Sequence, residues 1–331
     1  MHKKILIITD NLQEQINGVV TTFKNLEKHA VLDNHSIIYL DPGQFVHVDC
    51  PGYPEVKLSI PWSVGKKIKE ISPDYIHIAT EGPIGLAARL WLDLRGWRYN
   101  TSYHTKFPEF IKEIYHIPKV FTWSYLRWFH KHSGKVLVTT ETIKNSLIQR
   151  KFKSDIITWT RGVDREALEA NQTFERKNPP TVLYVGRISK EKNLDELCVL
   201  QDKYNIEIVG DGPYRQHLES KYKKVSFLGY QQGTELANSY ARADVFCFPS
   251  KNDTFGIVII EAMSLGTPVA AYPIDGPIDI IESDTGHMSD DLDKSIQECM
   301  KLDRETVREK SKRWTWEECW KIFKCNLIEI I

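Results

Sequence analysis

The sequence predicts an α/β protein built from two doubly wound domains, and three observations carry that expectation. Short apolar, β-rich runs recur with little polar alternation, as in parallel strands covered on both faces. Amphipathic stretches of helical spacing lie between them. The chain of 331 residues is about twice the usual domain length, and a polar break falls near its middle.

In the first half, strands are expected at residues 4–9, 36–40, 75–79, 99–104, 135–139 and 156–159. Helices are expected at 19–30, 64–71, 84–94, 108–115, 122–132 and 142–151. The stretch 164–180 is polar and ends Asn178-Pro179-Pro180, which marks a linker. In the second half, strands are expected at 181–185, 207–209, 225–228, 245–249 and 268–271, with helices at 193–204, 214–222, 234–241 and 255–265. Little is expected between Asp279 and the last helix, so helical cover looks short after Ile281. The tail reads as one charged helix whose Trp314, Trp316 and Trp320 pack back on the body. The resulting division is 1–164, a first doubly wound domain; 165–180, a linker; 181–303, a second doubly wound domain; and 304–331, a C-terminal helix. Two such domains face each other across a cleft, and ligands in such sheets bind at the carboxyl ends of the strands.

Composition excludes several classes. Lys+Arg and Asp+Glu are 44 each, so no general basic surface for nucleic acid is expected. Hydrophobic residues at 41% and charged residues at 27% exclude a disordered chain. The cysteines form no C-x-x-C pair, which argues against a zinc knuckle or a thioredoxin-type site and fits a reducing cytosolic compartment. The apolar run before Thr9-Asp10 is too short for a signal peptide. The most apolar window, 256–274, is interrupted by Glu261, Gly266 and Pro268 and reads as a buried helix followed by a buried strand. No metal site is expected: His130 and His132 lack a partner at ligand spacing, and Asp290-Asp291 sits in an acidic loop.

The most informative segment runs from Phe248 to Val269. A strand ends at Pro249, Asp253 stands where a helix N-cap is expected, and Thr254-Phe255-Gly256 open the helix. Backbone N–H groups of such an opening lack intrahelical acceptors, and a glycine there admits a phosphate closely. Glu261 follows two turns later among Ile257, Val258, Ile260 and Met263. A carboxylate on so apolar a helix needs a hydrogen-bonding partner, and a ribose diol is one. The plainer alternative is a capping Asp with a salt-bridged Glu.

The segment resembles the glutamate–seven residues–glutamate motif of retaining glycosyltransferases of family 4, which have the GT-B fold, with Asp253 in place of the first glutamate. Four more segments resemble family motifs in order. They are Asn17-Gly18-Val19, Arg161-Gly-Val-Asp164, Val185-Gly186-Arg187 through Lys192-Asn193, and Val209-Gly210-Asp211-Gly212-Pro213 with Phe227-Leu-Gly229. The resemblance implies that Arg187 and Lys192 hold the diphosphate of a nucleotide sugar while it departs. Gly18 and the helix opening at Thr254–Ile257 assist, Asp253 binds a hydroxyl of the donor sugar, and Glu261 binds the ribose. By the same resemblance Gly186 lies in the phosphate-binding strand-loop, and Gly210, Asp211, Gly212, Pro213 and Gly229 form the nucleoside-binding turns. His104, at the end of a strand, matches a histidine near the reacting centre. By itself such a histidine is more often structural. Glu81 either lines the acceptor side or partners a helix N-terminus.

The stretch 104–153 holds ten Lys/Arg against three Glu in an otherwise neutral chain. Its aromatics include Phe107, Phe110, Tyr115, Phe121, Trp123, Tyr125, Trp128 and Phe129. Basic-aromatic helices suit a membrane interface, although a core helix with a solvated basic face has the same composition. Within family 4 this stretch resembles the branch that glycosylates diacylglycerol, including sulfoquinovosyl transferases. Lys106, Trp123, Arg127, Trp128 and Lys131 are the acceptor- or membrane-side candidates, with Trp123 and Phe129 expected at headgroup depth.

The resulting expectation is a retaining, metal-independent hexosyltransferase with no cofactor. Its donor is a nucleotide diphosphate sugar, UDP-linked, and its acceptor is a lipid such as diacylglycerol at the cytoplasmic face of an anionic membrane. The alternatives are a soluble or polysaccharide acceptor, a NAD-dependent oxidoreductase, or a non-catalytic sugar-nucleotide-binding subunit. The oxidoreductase requires a G-x-G-x-x-G after the first strand, and Ile8-Thr-Asp-Asn-Leu does not supply it.

Overall fold

The computed structural model describes residues 2–15, 17–50, 53–171 and 174–330; the side chains of 53–56, 110, 113 and 114 lie outside the described set, Phe110 among them. The chain divides into unit 1, Met1–Arg161 with Trp316–Ile331, and unit 2, Gly162–Thr315.

Unit 1 runs β1 (Lys3–Ile8), α1 (Gly18–Leu32), β2 (His35–Leu40), β3 (Val46–Cys50), β4 (Tyr53–Ile60), α2 (Val64–Ile71), β5 (Tyr75–Ile78), α3 (Pro83–Arg95), β6 (Asn100–Tyr103), α4 (Phe107–Tyr115), α5 (Lys119–Phe129), β7 (Lys135–Val138), α6 (Glu141–Gln149) and β8 (Asp155–Thr158). Six strands form a parallel sheet in the order β2-β1-β5-β6-β7-β8. Ile5, Leu6, Ile7 and Ile8 are fully buried, as a central strand between helical layers requires. The order reverses between β1 and β5, so the carboxyl ends of those strands flank the unit's switch point.

Unit 2 runs β9 (Thr181–Val185), α7 (Asp195–Cys198), β10 (Asn205–Val209), α8 (Arg215–Lys221), β11 (Ser226–Gly229), α9 (Gly233–Arg242), β12 (Val245–Phe248), α10 (Ile257–Ser264), β13 (Val269–Ala271), α11 (Pro277–Ile280), β14 (Gly286–Met288), α12 (Leu292–Cys299) and α13 (Arg304–Ser311). Its sheet is parallel, in the order β11-β10-β9-β12-β13-β14, with the switch point between β9 and β12. Two apolar clusters cover its faces, one around Phe246, Ile259 and Met263, the other around Tyr184, Ile206 and Ile296.

Four features depart from the sequence expectation. The tail is two helices: α13, in unit 2, and α14 (Trp316–Cys325), in unit 1. The reason lies in where the apolar residues pack. Val307 joins the unit 2 core, whereas Phe323 meets Phe23, His77 and Trp159 of unit 1. The region after Ile281 is not bare, because β14 adds a strand and α12 covers the sheet. Asp291 caps α12 by accepting from the Lys294 N–H, and Leu292, Ile296 and Cys299 form its buried stripe. The helix expected over 193–204 is α only at Asp195–Cys198, with turns following. The hairpin β3–β4 was not anticipated; it pairs antiparallel, apart from the main sheet.

Candidate functional site

In unit 2, the residues expected to bind the donor gather at the carboxyl ends of the strands. Gly186, Arg187 and Lys192 follow β9, Gly210–Pro213 follow β10, Gly229 ends β11, and Asp253–Ile257 follow β12. The loops interlock through the backbone. The Gly186 N–H donates to Val209, the Ile188 N–H to Asp211, and the Gly210 N–H to Gly229. Gly210 has φ +130°, and a Cβ there would lie 2.0 Å from the Gly186 carbonyl oxygen, so no other residue fits without moving this loop.

Lys192 Nζ donates to both carboxylate oxygens of Asp253 at 2.9 Å, directly at the β9/β12 switch point. Each side chain keeps under a quarter of its surface exposed. Asp253 is therefore not the N-cap of α10, as the sequence suggested. The cap is Gly256, in the left-handed region at φ +95°, and the helix begins at Ile257. Asp253 is left to hold the lysine. Thr254 and Phe255 are buried, Phe255 edge-on to Trp314 at 5.6 Å, which anchors the loop that leads into α10.

Glu261 has a protein partner that the sequence did not reveal: Tyr240 Oη, on α9, donates to its carboxylate at 2.9 Å. Burial pushes this carboxyl above its ordinary range, and the tyrosine bond offsets part of the rise. No salt bridge accounts for it among the described residues.

In unit 1, Gly18 is the first residue of α1. Asn17 caps that helix, its side chain accepting from the Val19 and Val20 N–H groups. His104 follows β6 and is 9% exposed. Arg161 Nη2 donates to its Nδ1 at 2.9 Å, and Ser102 Oγ lies 2.7 Å from Nε2. Because arginine only donates, the neutral ring carries its proton on Nε2 and gives it to Ser102. Burial, with the neighbouring Arg161 charge, holds its pKa well below the ordinary histidine value. Phe23 and Trp159 wall the ring at 6.0 and 5.6 Å.

Glu81 is buried. Its carboxylate is 3.3 Å from His130 Nε2, and its carbonyl accepts from Tyr125 Oη. It does not cap α3. That role belongs to Asp10, a residue the sequence reading passed over. Asp10 accepts from Thr80 Oγ1 at 2.7 Å and from the Ile84 N–H at 2.8 Å. Burial raises its pKa to about 6. The position of Asp10 after the first strand of an alternating α/β pattern was the available clue.

The basic-aromatic stretch divides. Trp123 is half-buried, stacked on Tyr103 and under Arg150, and Phe129 is fully buried, so neither reaches a headgroup layer. Phe121, Val120 and Trp128 are exposed instead, and Arg89 clamps Trp128 from one face at 3.8 Å. Lys119 pairs with Glu109 and Lys135 bonds Asn326, while Lys112, Arg127 and Lys131 face solvent. Lys106 is partly buried at the start of α4. No helix among the described residues is long and apolar enough to cross a membrane.

Residues 16–167 match the family model described as Glycosyltransferase Family 4, and residues 166–314 the one described as Glycosyl transferases group 1. The sulfoquinovosyl transferase SQD2 of Arabidopsis thaliana is 33% identical over 303 residues, covering 81% of this chain and 59% of that protein. The chain thus spans less than two thirds of that relative's length. A GDP-mannose-dependent alpha-mannosyltransferase of Mycobacterium tuberculosis (strain CDC 1551 / Oshkosh) is 29% identical over 308 residues, 84% of this chain and 81% of that one. Among solved structures, sucrose-phosphate synthase from Thermosynechococcus elongatus superimposes with a TM-score of 0.76 at 17% identity, over 98% of both chains.

Proposed function

Because the chain belongs to glycosyltransferase family 4 and has its GT-B fold, we propose that it is a retaining, metal-independent hexosyltransferase. In this reading it uses a nucleotide diphosphate sugar and glycosylates a membrane lipid with a free hydroxyl, such as diacylglycerol. The observation that carries the reading is the Lys192–Asp253 pair at the β9/β12 switch point, beside the Arg187 loop and the opening of α10.

The chemistry follows from charge. When the bond between the sugar C1 and the phosphate oxygen breaks, the departing diphosphate gains negative charge. Fixed cations already in place stabilise that charge without reorganising. Lys192, oriented by Asp253, and Arg187 supply them, and the N–H groups opening α10 add partial positive charge. Glu261 receives the ribose, with Tyr240 holding its carboxylate in place. The acceptor oxygen attacks C1 from the face the phosphate leaves, and its proton passes to the departing phosphate oxygen. His104, neutral and with both ring nitrogens engaged by Arg161 and Ser102, acts as a fixed wall beside the transferred sugar rather than as a proton carrier.

The donor base is proposed as uracil, and a relative that is GDP-mannose-dependent makes guanine the competing choice. The lipid acceptor is supported by the family branch and by the exposed Phe121, Val120, Trp128, Arg127 and Lys131 on α5 and its flank. In this reading the protein works at the cytoplasmic face of an anionic membrane. The test is incubation with UDP- and GDP-sugars plus diacylglycerol, with products resolved by mass spectrometry. A glycosylated diacylglycerol supports the reading. Transfer only to water-soluble acceptors removes the lipid, and turnover with GDP-sugars alone removes the uracil.

A further inference from the structure

The hairpin β3–β4 leaves most of its apolar side chains uncovered. Its register places Val46 opposite Ile60 and Val48 opposite Leu58, so these four side chains share one face; His47–Ser59 and Asp49–Lys57 form the other. In water the apolar face should turn to the body. Here Val46, Val48 and Ile60 are 74%, 58% and 45% exposed and Leu58 is half-buried, while on the other face Ser59 is 6% exposed and His47 and Asp49 are exposed. Trp62, just beyond β4, is 92% exposed, beside the start of α2 with its solvent-facing Lys66 and Lys69. Three exposed large apolar side chains on one small element, with Trp62 just beyond it, give an exposed apolar surface, and such a surface marks an interaction site.

We propose that this outward face, with Trp62 at its rim, inserts into the headgroup layer of an anionic bilayer. The choice of occupant rests on the lipid-acceptor reading and on two observations. First, the far end of β3 touches α4, with Cys50 Sγ 2.9 Å from Tyr115 Oη. The hairpin therefore continues into the exposed Tyr115, Ile117, Val120 and Phe121. Second, the surroundings are cationic. Lys112, Arg127 and Lys131 lie on the α4–α5 side and Lys69 on the α2 side, where Lys66 pairs with the exposed Glu70, while Asp49 is paired with Lys57. Lysines about an apolar patch with a rim tryptophan complement anionic headgroups over acyl chains. The two parts differ in character: α4–α5 supplies attraction that salt screens, and the hairpin supplies attraction that salt leaves intact.

The experiment is co-sedimentation of the full chain with phosphatidylcholine–phosphatidylglycerol vesicles at low and high salt, with brominated lipids quenching tryptophan fluorescence. The hairpin variant carries Val48→Asp and Ile60→Asp; the comparator carries Arg127→Glu and Lys131→Glu. The wild type is expected to keep part of its binding at high salt. The hairpin variant is expected to lose about tenfold or more of that salt-resistant part, and Trp62→Phe to reduce the quenching. The comparator is expected to lose mainly the low-salt part. Three results overturn the inference: a hairpin variant that sediments like wild type, quenching unchanged by Trp62→Phe, or a wild-type dimer that the hairpin variant converts to monomer without altered vesicle binding. If the hairpin binds vesicles as expected but no glycolipid forms, the lipid-acceptor reading falls and this inference stands. If glycolipid forms and the hairpin variant still sediments normally, the reverse holds.

Discussion

Replacing Lys192 by methionine keeps the length of the side chain and removes its charge. Two effects follow from the geometry. The departing diphosphate loses one fixed cation, on the scale of ~10²–10³ in kcat. The Asp253 carboxylate, bonded at 2.9 Å through both oxygens in the wild type, loses the lysine and keeps its negative charge where the phosphates arrive. With 24% and 22% of the two side chains exposed, the pair lies between a surface pair and a buried one. Its loss is expected to cost about 1–2 kcal/mol of folding stability. Adding Asp253→Asn to Lys192→Met removes that negative charge, so the double variant should turn over about tenfold faster than the lysine variant, a coupling of about 1.4 kcal/mol. The assay is steady-state release of nucleotide diphosphate for the wild type, both single variants and the double. If the single effects simply multiply, the two residues act independently and the assignment of Asp253 as the holder of Lys192 is wrong.

Four further outcomes are expected. Glu261→Ala should raise KM for the donor, and Tyr240→Phe should do so by a smaller factor; unchanged KM in both places the ribose elsewhere. Gly210→Ala should destabilise unit 2, because its Cβ meets the Gly186 carbonyl at 2.0 Å, and an unshifted urea midpoint refutes this. The Asp10 carboxyl, raised to about 6 in the folded chain from an ordinary 3.8, binds its proton more tightly when folded. Its contribution is therefore present below about pH 4 and lost as pH rises to about 6, roughly 3 kcal/mol in all. Urea titrations of the wild type should show that loss against Asp10→Asn, and parallel curves count against it. EDTA should leave turnover largely unchanged; activity restored only by Mn²⁺ or Mg²⁺ would falsify the role given to Arg187 and Lys192.

The parallel sheets were legible because fully buried strands announce themselves as unbroken apolar runs, as Ile5–Ile8 does. The loops of the donor side were legible through glycines that a close backbone approach requires, Gly210 above all. Other elements escaped for identifiable reasons. The hairpin β3–β4 exposes its apolar face, so the usual rule linking apolar residues to burial points the wrong way. Helix α12 carries a single buried stripe in a polar octet, and β14 is three residues long, too short for periodicity. The Asp253 position looked like a cap in sequence because capping and ion pairing favour the same residue, and only Lys192, 61 positions away, decides between them. Asp10 and Tyr240 act through partners on other elements, which no local pattern encodes.

The placement of α14 has a consequence for how the molecule is made. Unit 2 is continuous from Gly162 to Thr315, but unit 1 is closed only by residues synthesised after all of unit 2. At about 5–20 residues per second, the partly assembled first unit waits on the order of 10–30 s for Trp320 and Phe323. Throughout that interval the surface of Phe23, His77 and Trp159 stands uncovered. The second unit to be synthesised is thus the first able to finish folding, and nascent chains stalled before α14 should be bound by chaperones at that aromatic face.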